Sequence, residues 1–359
     1  MTTTPSSVAV ATDTAHDTPL LEVKDLGVEF TTDSGPVLAV DGVSFSVGRG
    51  HRLGIVGESG SGKSVMCRAV MNILPPRAVV DERSSIRFDG RELPAMTKKE
   101  RKHFWGVDVA MVFQDPMTSL TPVMTVGAQL TETVRYHLGG SRRQARAAAL
   151  DLLEQVGIPD PRQRLDAYPH NLSGGMRQRV SIALALACSP SLLIADEPTT
   201  ALDVTIQQQI LNLLEKLCSE RNMALVIVSH DLGVIASRTD EVLVMYAGQI
   251  VERGSTTQVM SEARHPYTRG LLDAIPALDR PRHERLATIP GRLTPRRNHD
   301  EGCYFASRCA HVQDTCTHQV AVHGQDDHAT ACNFPLTQPT FAPAPHGAAD
   351  SPTKEGEAS

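Results

Sequence analysis

"GIVGESGSGKSV", residues 54–65, decides the fold. The strand-like run "RLGIV" over 52–56 leads into a glycine-rich loop, which closes on Lys63 and Ser64 and opens a helical stretch at about 63–73. The pattern G-x-x-x-x-G-K-[ST] falls on Gly57, Gly62, Lys63 and Ser64. Glycines let the backbone curl until its N–H groups converge on phosphate oxygens, and the helix N-terminus adds partial positive charge. Lys63 is placed to reach β- and γ-phosphates, and the Ser64 hydroxyl to take a Mg²⁺ position. Glu58, Ser59, Gly60 and Ser61 complete the candidate ATP-binding loop. The competing reading is a plain glycine-rich turn. A strand before it and a helix after it count against that.

A second site supports the first. "SLLIADEP" (191–198) is an apolar strand that ends in Asp196 and Glu197. A carboxylate at the carboxyl end of a neighbouring strand is where Mg²⁺ on bound phosphates needs a partner. Glu197, one residue on, is the candidate base for an attacking water. Together the two stretches read as a site for ATP or GTP.

The rest of the chain sets the architecture. Apolar residues make up 41 % and charged residues 21 % of 359, a soluble globular composition. The formal net charge of −6 gives no overall basic field to attract nucleic acid or anionic lipid. The N-terminal "MTTTPSSVAVATDTAHDT" has no basic start and no long apolar core, so residues 1–19 read as a disordered leader. The longest apolar runs, "VSIALALAC" (180–188) and "MALVIVS" (223–229), fall far short of the roughly 18 residues of a membrane span. From 21 to about 115, β-like runs surround one helix, and a helical stretch follows from about 126 to 189. Strands then alternate with helices: "SLLIAD", a helix over 204–220, "ALVIVSH", a short helix after 231, and "EVLVMYAGQIV" as one strand. Continuous apolar strands in this alternation predict a parallel sheet covered on both faces. Cys67, Cys188 and Cys218 lie singly in helical segments and read as small core residues.

"NLSGGMRQRVSIALALACSPSLLIADEPTTALD" (171–203) resembles the ATP-binding subunits of ABC transporters. The resemblance implies an α/β P-loop NTPase with a RecA-like core, a β subdomain and an inserted helical subdomain at about 126–175, all within residues 20–262. It implies that Leu172, Ser173, Gly174, Gly175 and Met176 meet the ATP held by an opposing subunit, with Asp203 passing between the two. Gln114 matches the glutamine that contacts Mg²⁺ and the attacking water, and leads to a membrane partner. His230 matches the histidine that contacts the γ-phosphate. Phe30 sits where an aromatic stacks on adenine, though a core role is an equal reading of that residue.

"RHPYTRGLLDAIP" (264–276) and "EGCYFASRC" (301–309) resemble the C-terminal extension of oligopeptide and dipeptide importer ATPases, a subfamily that includes nickel importers. The extension is expected over 263–335, followed by a disordered tail over 336–359. The implied function is the ATPase subunit of a peptide importer, peripheral at the cytoplasmic face of the membrane. Implied partners are two permease subunits, a second ATPase subunit (a sister chain rather than a copy) and, indirectly, an extracytoplasmic peptide-binding protein. The alternatives are import of nickel or another small solute, and a soluble ABC ATPase with no transport role. "DPMTSLTP" (115–122) carries Thr121 where the subfamily commonly has Asn, which weakens any finer substrate assignment.

Four of the seven cysteines crowd into the extension: Cys303, Cys309, Cys316 and Cys332. Reducing cytosol argues against disulfides. The spacing C-x5-C-x6-C-x15-C lacks the tight knuckles usual for zinc, and is compatible with a four-cysteine 4Fe–4S cluster. His311, His318, His323 and His328 lie nearby as substitute ligands or as solvated side chains. An iron–sulfur cluster, zinc, or free thiols are the three readings.

Overall fold

The computed structural model describes residues 18–33, 35–93, 95–115, 119–200, 202–275, 288–294, 296, 302–318, 320–324 and 328–337. The expected leader, except its last two residues, and the expected tail after Thr337 lie outside the described residues.

Two sheets build the molecule. The first is antiparallel, with strands β1 (Leu21–Thr32), β2 (Gly35–Val47), β4 (Ala78–Val80), β5 (Ser85–Phe88) and β6 (Arg91–Glu92). Their order is β2–β1–β5–β6, with β4 also on β1. The second sheet has a parallel centre of β3 (Arg52–Val56), β7 (Val109–Val112), β8 (Leu192–Asp196), β9 (Ala224–Ser229) and β10 (Glu241–Tyr246). Antiparallel strands β11 (Gln249–Ser255), β12 (Val322–His323) and β13 (His328–Ala331) extend it, in the order β12–β13–β11–β10–β3–β9–β8–β7. Alternate residues of the central strands feed opposite faces: Leu192 and Ile194 enter one core cluster, Leu193 and Ala195 the other. Both faces are therefore dry, which is why the strands read as continuous apolar runs.

Helix α1 (Lys63–Val70) starts at the glycine-rich loop. Helices α2 (Val126–Leu138) and α3 (Arg142–Gln155) fall in the stretch where a helical insert is expected. Helix α4 (Gly174–Ala185) and helix α5 (Val204–Glu220) flank β8 in sequence. The helical stretch expected over 126–189 is thus broken, because Gly139 and Gly140 both take positive φ and Pro161 restarts the chain after Asp160. Helix α1 ends at Val70 rather than at 73, and Asn72 turns left-handed at φ 52°.

The single strand expected over 241–251 is a hairpin of β10 and β11. Its turn is Ala247–Gly248, with φ 47° and 86°. Positive φ at both central residues suits the twist of a two-residue hairpin, but Ala-Gly lacks the Asn-Gly or Asp-Gly signal that reveals one. The extension is joined to the main sheet, since β13 pairs with β11 and β12 with β13. Behind that pairing, the fully buried Glu252 carboxylate accepts from the backbone N–H groups of Arg264 and His265 and meets His328 Nε2 at 2.8 Å. Among the described residues no helix is long and apolar enough to cross a membrane.

Candidate active site

Strand β3 delivers the loop at residues 57–62 to the carboxyl edge of the sheet. A Cβ on Gly57 would stand 2.2 Å from the Met245 carbonyl oxygen. Gly62, at φ 99°, leaves only 2.3 Å to the Ala39 carbonyl oxygen and is the N-cap of α1. Only glycine fits either place. The Gly248 N–H donates to the Ser61 carbonyl at 3.0 Å, so the hairpin hidden in the sequence buttresses the loop. Lys63 is buried, and its Nζ donates to the carbonyls of Gly57 at 2.7 Å and Glu58 at 3.0 Å. Burial lowers the pKa of this ammonium, while Glu197 and Asp196 act to raise it.

The acidic pair stands beside it. The Ser64 hydroxyl donates to Asp196 Oδ1 at 2.9 Å, across 132 residues of chain. Asp196 is buried, which raises its pKa, and the Ser64 hydrogen bond acts in the opposite direction. Glu197 turns left-handed at φ 46°, and its N–H donates to the Val228 carbonyl on β9. Its Oε2 accepts from Gln114 Nε2 at 2.9 Å and from the Thr200 hydroxyl at 3.0 Å, and His230 Nδ1 lies 3.4 Å away. Glu197 is thus fixed from three sides, while the His230 side chain remains 62 % exposed. Thr200 escaped the sequence reading. Its position three residues after Glu197, within one turn, was the available signal.

The remaining expected residues lie at the starts of α4 and α5 and on β1. Ser173 heads α4, and its hydroxyl accepts from the Met176 N–H at 3.3 Å. Gly175 lets α4 lie against α5, since a Cβ there would stand 2.8 Å from Ile206. Asp203 caps α5 through the Ile206 N–H at 2.9 Å. Leu172 is buried and Met176 packs on the same core, whereas Ser173, Gly174 and Asp203 are exposed, as is Val204 at 75 %. Phe30 lies on β1 opposite Val37, half-buried against the core of the antiparallel sheet.

All four extension cysteines line one pocket, together with His265 and His311. Of the other nearby histidines, His328 is engaged by Glu252, and neither His318 nor His323 lines the pocket. Burial raises the thiols of Cys309 and Cys332, and that of Cys303 to about 11. His265 is buried, with its pKa lowered to about 4 by burial. Its Nδ1 accepts from the Tyr267 N–H at 3.0 Å, and its Nε2 has no hydrogen-bond partner among the described residues. Among the described residues no group of three or more His, Cys, Asp or Glu that could hold a metal ion is found. Cys67, Cys188 and Cys218 are buried core residues, as their isolation predicts.

Comparison with known proteins places these features in a family. The protein-family model for ABC transporters matches residues 40–200, and that for the oligopeptide/dipeptide transporter C-terminal region matches 251–316. The dipeptide transport ATP-binding protein DppD of Escherichia coli is 48 % identical over 320 residues, 88 % of this chain and 97 % of that protein. The oligopeptide transport ATP-binding protein OppD of Bacillus subtilis is 49 % identical over 295 residues, 82 % of each chain. Among solved structures, the dimeric ATP-binding cassette MJ0796 in a post-hydrolysis state with ADP and Pi is 26 % identical, with a TM-score of 0.59. That match covers 66 % of this chain and 98 % of the cassette.

Proposed function

This chain belongs to the ATP-binding subunits of ABC-type peptide transporters, and on that premise we propose that it hydrolyses ATP to drive peptide uptake through partner permease subunits. The observation that carries the reading is the convergence of Lys63, Ser64–Asp196 and the held Glu197 around one glycine-rich loop. Ser64 and Asp196, with the Gln114 side-chain carbonyl, are the residues that would hold Mg²⁺, which neutralises charge on the β- and γ-phosphates when bound. Lys63 donates to the phosphate oxygens. Glu197 accepts a proton from the water that attacks the γ-phosphorus. The bond to the β–γ bridging oxygen breaks, leaving ADP and phosphate, and His230 steadies the developing charge.

Ser173, Gly174 and Gly175 present the start of α4 outward, which suits contact with the ATP of an opposing cassette. Asp203 and Val204, both exposed, stand at the start of α5. Subfamily resemblance favours a sister ATPase as that partner. Phe113, 37 % exposed beside Gln114, and Val123, 80 % exposed, mark where short permease helices would dock. The chain would act at the cytoplasmic face of the membrane, with an extracytoplasmic binding protein supplying peptide. Uptake of labelled dipeptide in cells lacking this chain tests the reading. Loss of peptide uptake, restored by the intact gene, is the expected result. Intact peptide uptake with lost nickel uptake would move the assignment to a small-solute importer.

The four-cysteine pocket supports a 4Fe–4S cluster held by Cys303, Cys309, Cys316 and Cys332. The spacing C-x5-C-x6-C-x15-C lacks the tight knuckles usual for zinc. A cluster instead gives each thiolate a different iron. The unpartnered His265 Nε2 is a buried donor that a sulfur-rich group would satisfy. Such a cluster would staple an extension with little core of its own. Protein purified without oxygen is expected to carry about four irons and four sulfides per chain, both lost in Cys309→Ser. One zinc, or no metal, would overturn this assignment and leave the ATPase reading intact.

A further inference from the structure

Glu58, the second residue of the phosphate loop, is gripped by the C-terminal extension at two points. Its carboxylate receives a fork from Arg308, with Nη1 to Oε2 at 2.6 Å and Nη2 to Oε1 at 2.9 Å. Its backbone N–H donates to the Tyr267 hydroxyl at 2.8 Å. The arginine is itself fixed, since its Nε donates to the Pro290 carbonyl at 2.7 Å and its side chain is only 5 % exposed. Tyr267 is fully buried, with its ring 4.8 Å from that of Tyr246 and 5.4 Å from that of Phe305. Both grips are therefore rigid before any ligand arrives.

A carboxylate in a loop that must receive a polyanion is an electrostatic liability. Unpaired, Glu58 would repel the phosphates, and the repulsion would be weakly screened beside a buried surface. A bidentate guanidinium removes that charge from the field and fixes where the carboxylate points. We propose that Arg308 is a positioning residue for ATP binding, neutralising Glu58 and holding it toward the extension while the Tyr267 hydroxyl fixes the backbone of the same residue. Arg308 precedes Cys309, and Tyr267 follows His265 by two residues. The wall of the thiol pocket and the grip on the phosphate loop are thus built from adjacent residues.

The proposal rests on reading the loop as an ATP site, and the test separates the two. The full chain is titrated with a fluorescent ATP analogue and magnesium. Arg308→Gln is expected to weaken binding about tenfold. Adding Glu58→Gln to the same chain removes the freed charge and is expected to restore most of the affinity. Arg308→Lys keeps the charge without the fork and should fall between wild type and Arg308→Gln. If the bridge were merely glue for the extension, the double variant would bind no better than Arg308→Gln. That result overturns the proposal, as does unchanged binding in Arg308→Gln. Failure of the wild-type chain to bind the analogue would overturn the ATP reading itself, and this inference with it.

Discussion

Glu197→Gln is expected to keep binding ATP while losing at least about a hundredfold in turnover, the low end of what a positioned general base contributes. The geometry makes this substitution a clean one. Glu197 is held at the end of β8 by its own N–H to the Val228 carbonyl, and its Oε2 accepts from Gln114 and Thr200. A glutamine side chain has the same shape, and its carbonyl can still accept both hydrogen bonds. What it lacks is basicity. Binding should hold or tighten, because one negative charge leaves the neighbourhood of the phosphates while Lys63 stays in place. Phosphate release and nucleotide binding, measured on the same preparation, check both halves of this expectation. Turnover within tenfold of wild type would remove Glu197 from the role of base. Loss of binding and turnover together would instead indicate that the carboxylate organises the site.

Much of this site is legible in the chain because its parts sit at the ends of unambiguous elements. The strands over 52–56 and 192–196 are apolar from Leu53 to Val56 and from Leu192 to Ala195, so Lys63, Ser64, Asp196 and Glu197 fall where parallel strands end. What escapes the sequence is set by tertiary contact. The Ala247–Gly248 turn carries a weak local signal, yet it splits one expected strand into two and supports the Ser61 carbonyl. The helical stretch after 126 keeps its apolar content, but paired glycines and a proline divide it into shorter helices. The extension shows the same limit most sharply. Its cysteines announce themselves, but the contact of Arg308 with Glu58 spans 250 residues, and no period or motif connects those positions. The union of β13 with β11 likewise depends on a pairing of short strands that carry little patterning of their own.

Lys63→Ala is expected to weaken ATP binding at least about thirtyfold and to leave no measurable turnover. Three effects add in the same direction. The side chain supplies a charge-assisted hydrogen bond to the phosphates, worth roughly 1.5–3 kcal/mol. Its ammonium is also the nearby cation that Asp196 and Glu197 both act on, so its removal leaves two carboxylates facing an incoming polyanion. The third effect is local, because Nζ ties together the carbonyls of Gly57 and Glu58 and holds the curl of the loop. The fold itself should survive, since alanine is a strong helix former at the first position of α1. Loss of binding in a chain with unchanged thermal unfolding therefore assigns the effect to the site. Read beside Glu197→Gln, the result separates two functions. One variant should hold nucleotide without hydrolysing it, and the other should never load it. Wild-type affinity in Lys63→Ala would mean that the phosphates sit outside the glycine loop, and the base, magnesium and switch roles assigned around that loop would fall with it.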